Sequence, residues 1–448
     1  MYAMGGNEMN KKVDVNERLN KMKAFYLKLD EMMDKLPDAI PADTKRLIKD
    51  KILGDKELKE LMEGIENNRP PRIFLIGRTG AGKSSLVNAI CGGYVAEVGD
   101  VRSYTEGTKS YKCTDHDRTL MEILDTRGIA ESEALEEESA EKTLIKEITE
   151  FSPDVAILVL NCTHRDDVDK DVQFMKGIAE QYKKINNVRL PIIVAVNKCD
   201  EMSPSRFKTA KEYPQNKIDK IDEAVKYFKG IIVNNGLKID DIIGVSALID
   251  WQTQDGVEVD PENIKNLPKR DIENLEIAFD GRYRIEELIH ILDEAILDTE
   301  AQMGLRMAFR LEELVKRLSN HMTAIFAGIS ATIAITPIPF SDIYILVVLQ
   351  GVLVALIASL SGRDISLETA IEFIFSLGGV AGAGQIFKII AQQASKLLNG
   401  LFPGAGSAVS STVAFAGTES IGKAAIAYYI EGKDIKAAKK IFKANQKD

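Results

Sequence analysis

The sequence predicts an α/β, doubly wound domain on a mainly parallel sheet, with a helical segment before it and an all-α hydrophobic domain after it. Three observations carry this reading. From Ile73 onward, short apolar runs alternate with longer helical stretches. A glycine-rich loop joins the first run to a helix. Between Met322 and Gly422 only eight of 101 residues are charged, against 28% of the whole chain.

The elements follow in order. Residues 1–69 form the first region: residues 10–68 are rich in Lys, Glu, Leu and Met, and "LIKDKILGDKELKELMEGI" repeats its apolar residues at helical spacing, so amphipathic helices are expected. "NNRPPR" breaks that pattern. Residues 70–302 carry the runs "RIFLIG", "LMEILD", "DVAILVLN", "PIIVAVN" and "DIIGVSA". Each is apolar throughout and rich in β-branched residues, as suits strands covered on both faces. "YRIEELIHILDEAIL" reads as the closing helix, and residues 303–448 form the last region. A length of 448 residues accommodates three regions, at roughly 100–200 residues per domain. The four cysteines, Cys91, Cys113, Cys162 and Cys199, form no CxxC pair and read as reduced buried thiols. No signal peptide is expected from the N-terminal residues. The net charge of −10 argues against nucleic acid as a partner.

The chemistry concentrates at the ends of the predicted strands. "GRTGAGKSS" follows "RIFLIG" and opens a helix. Gly77, Arg78, Thr79, Gly80, Ala81, Gly82, Lys83, Ser84 and Ser85 thus form a phosphate loop in strand–loop–helix context. Its glycines let backbone N–H groups converge on a phosphate at the positive end of the helix. Lys83 would bridge the β- and γ-phosphates and Ser84 would ligate Mg²⁺. Asn197, Lys198 and Asp200, in "NKCD", close the strand "PIIVAVN". Asp200 can accept from both the ring N–H and the exocyclic amine of guanine. Adenine offers no such pair, which disfavours an ATP-using kinase. Lys198 would lie over the base, Asn197 would tie this loop to the phosphate loop, and Ser246 and Ala247 would complete the base site. His164, in "NCTHRDD", also falls at a strand end, where a lone histidine is more often incidental.

Taken together, Gly77–Ser84, Asp125–Gly128, Asn197–Asp200 and Ser246–Ala247 resemble a translation-factor-class GTPase domain, near the Era-like, septin-like and immunity-related groups. The resemblance implies an α/β P-loop GTPase domain with GTP and GDP as ligands and Mg²⁺ as cofactor. It implies that Asp125 holds Mg²⁺ through water, that the Gly128 N–H senses the γ-phosphate, and that Thr108, rather than Thr105, completes the metal shell. Ile129 stands where many GTPases carry a water-orienting glutamine, and Gly80 where some carry a potassium-recruiting asparagine. Arg78 and Arg127 are the candidate charge donors, in their own site or across a G-domain homodimer. The catalytic candidates are therefore Lys83, Thr108, Gly128 and Arg78.

Within the last region, Ile343–Leu360 is uncharged, and fifteen of its eighteen residues are apolar. "TPIPFSD", "GRDISLETA" and "AAIAYY" resemble a hydrophobic helical domain of unknown function found behind bacterial GTPases. Three readings stay open: a buried bundle, a domain that docks on a bilayer in one nucleotide state, and a permanent hairpin span. Residues 423–448 hold seven lysines and three acids, which suits an anionic membrane surface. The expected protein is a cytoplasmic, membrane-peripheral or membrane-embedded switch that hydrolyses GTP. The alternative is a nucleotide-gated scaffold or membrane-remodelling protein with negligible turnover.

Overall fold

Alternation along the central strands assigns every second side chain to one of two apolar layers. The computed structural model describes residues 42–95, 102–105, 108–115, 118–126, 137–164, 168–264, 266–335, 342–378 and 411–445. Asn68–Phe309 form one of two compact units. Its strands are β1 (Arg72–Ile76), β2 (Arg102–Thr105), β3 (Thr108–Asp115), β4 (Arg118–Thr126), β5 (Val155–Asn161), β6 (Ile192–Asn197) and β7 (Asp241–Gly244). They make a seven-stranded sheet in the order β2-β3-β4-β1-β5-β6-β7. The β4-β1-β5-β6-β7 portion is parallel, and β2 and β3 pair antiparallel at one edge.

Ile73, Leu75, Ile157, Val159, Ile193 and Ala195 pack on one face with helices Lys83–Cys91 and Ile285–Ala295. Phe74, Ile76, Leu158, Leu160, Val194 and Val196 pack on the other with helices Glu137–Phe151, Val168–Asn186 and Gln215–Asn234. Helices therefore cover both faces. That is why β6 is buried along its whole length and carries no polar residue before Asn197. Full burial of one such aliphatic side chain contributes about 1.5–3 kcal/mol.

The run "DIIGVSA" is not one strand. The chain leaves the main sheet after Gly244, and Ser246–Gln252 (β8) joins Glu258–Val259 (β9) and Glu276–Tyr283 (β10) in a second, antiparallel sheet. Packing forbids a side chain at the departure point: a Cβ on Gly244 would lie 2.8 Å from Ile221 and 3.3 Å from the Cys199 sulfur. Apolar runs alone could not reveal this split, because β7 and the start of β8 are equally buried.

Arg69 fastens the beginning of the unit. Its guanidinium forks onto Asp154 at 2.7 and 2.8 Å and lies 3.1 Å from Asp298. Asp154 also accepts from the Arg72 backbone N–H, so one carboxylate aligns the starts of β1 and β5. Helix Thr299–Phe309 crosses this segment at Gly304, where a Cβ would fall 1.8 Å from the Arg69 carbonyl oxygen.

The other unit is assembled from both ends of the chain, residues 1–67 and 310–448. Helices Ala42–Leu53 and Lys56–Asn67 pack on helix Leu311–Ile335. His321 Nε2 lies 2.8 Å from Asp55, its Nδ1 lies 3.3 Å from Glu57, and Arg317 reaches Glu57 at 3.0 Å. Helices Asp342–Leu360, Leu367–Leu377 and Ser411–Ala425 complete the apolar packing. Ser411–Ala425 continues as a π-helical turn, Ile426–Ile430, before helix Ile435–Ala444.

Within Asp342–Leu360, every side chain from Ile345 to Ala358 is buried. A helix apolar all round is enclosed by its neighbours. Among the described residues one helix, Leu311–Ile335, is long and apolar enough to cross a membrane, and half of its most apolar window is buried. Residues 336–341, which hold most of "TPIPFSD", and residues 379–410 lie outside the described residues.

Gln350, the polar interruption of the apolar run, donates to Thr418 Oγ1 at 3.0 Å. Thr418 donates to Ser330 Oγ at 2.9 Å, so one buried polar chain links three helices. Four residues along its helix, Gly422 meets Thr323 so closely that a Cβ would lie 2.3 Å from it. Thr418→Val should cost about 1–3 kcal/mol, because Gln350 loses a buried acceptor. Adding Gln350→Leu should return most of that loss. Chemical unfolding of the two single variants and the double variant measures the coupling, and strictly additive losses would contradict the polar chain.

Candidate functional site

The phosphate loop turns between β1 and helix Lys83–Cys91 at the carboxyl ends of the parallel strands, where open α/β sheets bind ligands. Two of its glycines hold left-handed backbone, Gly80 at φ 77° and Gly82 at φ 87°. Gly77 is required by proximity: a Cβ there would sit 2.4 Å from the Val159 carbonyl oxygen of β5. Lys83 is buried, and its ammonium donates to the Gly77 carbonyl at 2.7 Å, curling back over the loop. Ser84 is half-buried in the first helical turn, whereas Thr79, Gly80 and Ser85 are exposed.

The base loop is fastened to this turn by a side chain. Asn197 Nδ2 donates to the carbonyls of Ala81 at 3.0 Å and Gly82 at 3.3 Å, the tie expected from the sequence. A Cβ on Gly82 would lie 2.4 Å from that nitrogen, so the glycine and the asparagine require each other. Lys198 holds a left-handed φ of 66°, uncommon for a residue with a long side chain. Such strain persists where the surroundings impose it. Here the backbone of Cys199 donates to Val245, and the Cys162 thiol donates to the Lys198 carbonyl at 3.0 Å.

Asp200 is only 7% exposed. Ser246 Oγ donates to its Oδ1 at 2.9 Å, and Lys208 Nζ lies 3.0 Å from its Oδ2. Its backbone carbonyl accepts from Lys217 Nζ at 2.7 Å, and the same ammonium donates to the Phe207 carbonyl at 2.8 Å. Lys217 is completely buried and stands 4.3 Å from the centre of the Tyr213 ring. Burial pushes its ammonium below the ordinary lysine range, while Asp200 opposes that shift. Burial, with Asp200 nearby, pushes the Tyr213 hydroxyl up. The adjacent Cys162 and burial together push the Cys199 thiol well up, so Cys199 stays a neutral thiol. Ala247 is buried beside Ser246 at the start of β8.

Arg78 is half-buried and paired. Its Nε lies 3.0 Å from both carboxylate oxygens of Asp171, on helix Val168–Asn186. Arg78, Asp171, His164, Asn161 and Lys198 line an open cleft of about 340 Å³ beside the phosphate loop. Asp125 is buried at the end of β4, level with Leu75 of β1. The backbone register sets Thr108, the first residue of β3, opposite Thr126, one residue beyond Asp125. Thr105 pairs with Thr108 at the end of β2. Arg127, Gly128 and Ile129 lie outside the described residues.

The buried carboxylate of Asp125 and the hydroxyl of Ser84 are hard oxygen donors and fit Mg²⁺. Among the described residues no group of three or more His, Cys, Asp or Glu side chains could hold a metal by itself. A cation shared with nucleotide phosphates needs fewer protein donors.

Residues 72–198 match the sequence-family model described as 50S ribosome-binding GTPase. The GTPase Der of Leptospira interrogans serogroup Icterohaemorrhagiae serovar copenhageni (strain Fiocruz L1-130) is 35% identical over 152 residues, 32% of this chain and 28% of that protein. Translation initiation factor IF-2 of Dinoroseobacter shibae (strain DSM 16493 / NCIMB 14021 / DFL 12) is 26% identical over 231 residues, 48% of this chain and 25% of that protein. The chain thus spans between a quarter and a third of the length of these two relatives. Among solved structures, the LeoA bacterial dynamin GTPase from ETEC aligns over 92% of this chain and 76% of its own, at 15% identity and a TM-score of 0.35. The fold and the site define a P-loop nucleotide-binding domain. Residues 72–198 are matched as a GTPase domain of this P-loop type.

Sequence reasoning placed the phosphate and base loops but missed Lys208, Lys217, Tyr213 and Asp171. The first three fall in the long segment after Asp200, where no spacing rule marks them. Lys217→Met keeps the buried stem and removes the donor to two carbonyls. It should cost about 1–3 kcal/mol and weaken GDP binding, because the base loop loses its support. Unfolding and GDP titration of the variant check this, and a protein matching the parent in both would refute the positioning role of Lys217.

Proposed function

We propose that the protein binds GTP and hydrolyses it to GDP and phosphate, as a nucleotide-dependent switch acting on the hydrophobic helical unit. The observation that carries this reading is the base loop. A buried Asp200, backed by Ser246 and joined through Asn197 to the phosphate loop, holds guanine and phosphate recognition in one rigid piece. Asp200 accepts the ring N–H and amine of guanine, Lys198 covers the base, and the Ala247 backbone faces the guanine carbonyl. Gly77–Ser85 cradle the phosphates. Lys83 leaves the Gly77 carbonyl for the β- and γ-phosphate oxygens. Ser84, Thr108 and Asp125 would hold Mg²⁺, which neutralises phosphate charge when bound. The Gly128 N–H senses the γ-phosphate, and its loss on hydrolysis releases the segments around Thr108 and Asp125.

Ile129 cannot orient water, so catalysis rests on positioning and charge. Arg78 is the charge donor in this reading, acting on its own nucleotide or across a G-domain homodimer. Its pairing with Asp171 favours a second reading, a nucleotide-gated scaffold with negligible turnover, because the guanidinium must leave a carboxylate before it can act. Single-turnover hydrolysis across a range of protein concentrations separates the two. Turnover per molecule that rises with concentration, and falls in Arg78→Ala at unchanged GDP affinity, supports the enzyme. The absence of turnover at every concentration supports the scaffold.

The exposed Lys433, Lys436, Lys440 and Lys443 support an anionic membrane surface as the site where the helical unit acts. Flotation with anionic liposomes in the GDP state and the GTP-analogue state tests this.

Base choice is tested most directly. Asp200→Asn exchanges an acceptor for a donor and should move preference from guanine to xanthine nucleotides by orders of magnitude. Lys83→Ala should abolish nucleotide binding or turnover. A competition titration giving equal GTP and ATP affinity for the parent would overturn the reading.

A further inference from the structure

The carboxylate that would read guanine already carries two donors. Ser246 Oγ occupies Asp200 Oδ1 at 2.9 Å, and the Lys208 ammonium occupies Oδ2 at 3.0 Å. The two donors differ in kind. Ser246 is fully buried and belongs to the strand that frames the base site. Lys208 is 41% exposed at its side chain and comes from the segment between the base loop and helix Gln215–Asn234. That segment is itself fixed, because buried Lys217 joins the carbonyls of Asp200 and Phe207, and Phe207 directly precedes Lys208. The Lys208 ammonium is therefore held against the oxygen that must receive a guanine N–H.

We propose that Lys208 is a specificity- and affinity-determining residue of the base site: an internal cation that competes with guanine for Asp200 and sets how readily the nucleotide leaves. This rests on Asp200 being the guanine reader. With Ser246 as its one side-chain donor, a carboxylate in a site this closed would bear more of the cost of desolvation in the empty state. Lys208 offsets that cost, so the empty state is stabilised relative to the bound one. Entry of guanine requires the ammonium to swing into solvent, which its partial exposure allows. The effect is a lower nucleotide affinity and a faster exchange than the pocket would otherwise give. Because the pair reaches solvent, salt screens it.

The test is calorimetric titration of GDP and xanthosine diphosphate into the full-length parent, Lys208→Met, Lys208→Gln, Asp200→Asn and the Asp200→Asn/Lys208→Met double variant. Both Lys208 variants should bind GDP about two- to fivefold more tightly than the parent, the range of partly exposed ion pairs. That gain should shrink as salt rises. In the Asp200→Asn background, xanthosine diphosphate should bind with the same affinity whether or not Lys208 is present, because the carboxylate it competes for is gone. Tighter binding is an outcome that general structural damage does not produce. Lys208 variants with unchanged or weaker GDP affinity, in a protein whose Asp200→Asn variant does turn to xanthine, would overturn the competition while leaving the base reading intact. An Asp200→Asn variant that does not turn to xanthine would overturn the base reading, and the role of Lys208 with it.

Discussion

The side-chain amide of Asn197 reaches across the top of the sheet to two carbonyls of the phosphate loop, and much of the site depends on that bridge. A loop of glycines at left-handed φ is costly to order, since glycine loses more backbone freedom on folding than any other residue. The cost is met by ties to elements already rigid: Val159 against Gly77, Asn197 against Gly82, and Lys83 folded over Gly77. Asn197 ends a strand buried on both faces and cannot move independently of the core. Phosphate geometry and base geometry are thereby referenced to one strand, and distance between the two halves of a nucleotide becomes a property of the sheet.

On the far side of Asp200 the same economy appears with charge instead of glycine. Lys217 is fully buried, with its ammonium spent on two backbone carbonyls and the face of Tyr213. Among the described residues no carboxylate pairs directly with this cation; burial lowers its proton affinity and the nearby Asp200 opposes the shift. The buried ammonium holds a turn of irregular backbone against the base loop. Strand β8, which supplies Ser246, leaves the main sheet immediately after Gly244, so the base site lies at the junction of two sheets.

The sequence disclosed whatever depends on local periodicity or fixed spacing. β1, β5 and β6 were legible as apolar runs, because strands covered on both faces carry nothing else. The phosphate loop and "NKCD" were legible because each must hold a fixed set of atoms within a few residues. β2 and β3 were not, since an antiparallel edge tolerates polar residues such as those of "TKSYKCTD". Lys208 and Lys217 were hidden for another reason. Their partners lie eight and seventeen residues away across irregular backbone, and one lysine in a lysine-rich segment looks like any other. Gln350 is a polar residue inside an apolar run, and its role as a buried link depends on Thr418, sixty-eight residues away in the chain.

One helical unit is made from the two ends of the chain, with some 240 residues of continuous α/β structure between its halves. During synthesis the segment around Asp55 and Glu57 emerges long before His321 and Arg317, the side chains it will pair with. The nucleotide-binding unit is complete first, being contiguous, and chains fold domain by domain from the N-terminus. Its folding also draws the two distant ends toward each other and removes most of the chain entropy that closing so long a loop would cost. The early helices keep their apolar stripe, Ile48, Ile52, Leu58 and Ile65, uncovered until helix Leu311–Ile335 has been made. The order of assembly is thus built into connectivity, and a nucleotide taken up early would steady the half that must stand alone.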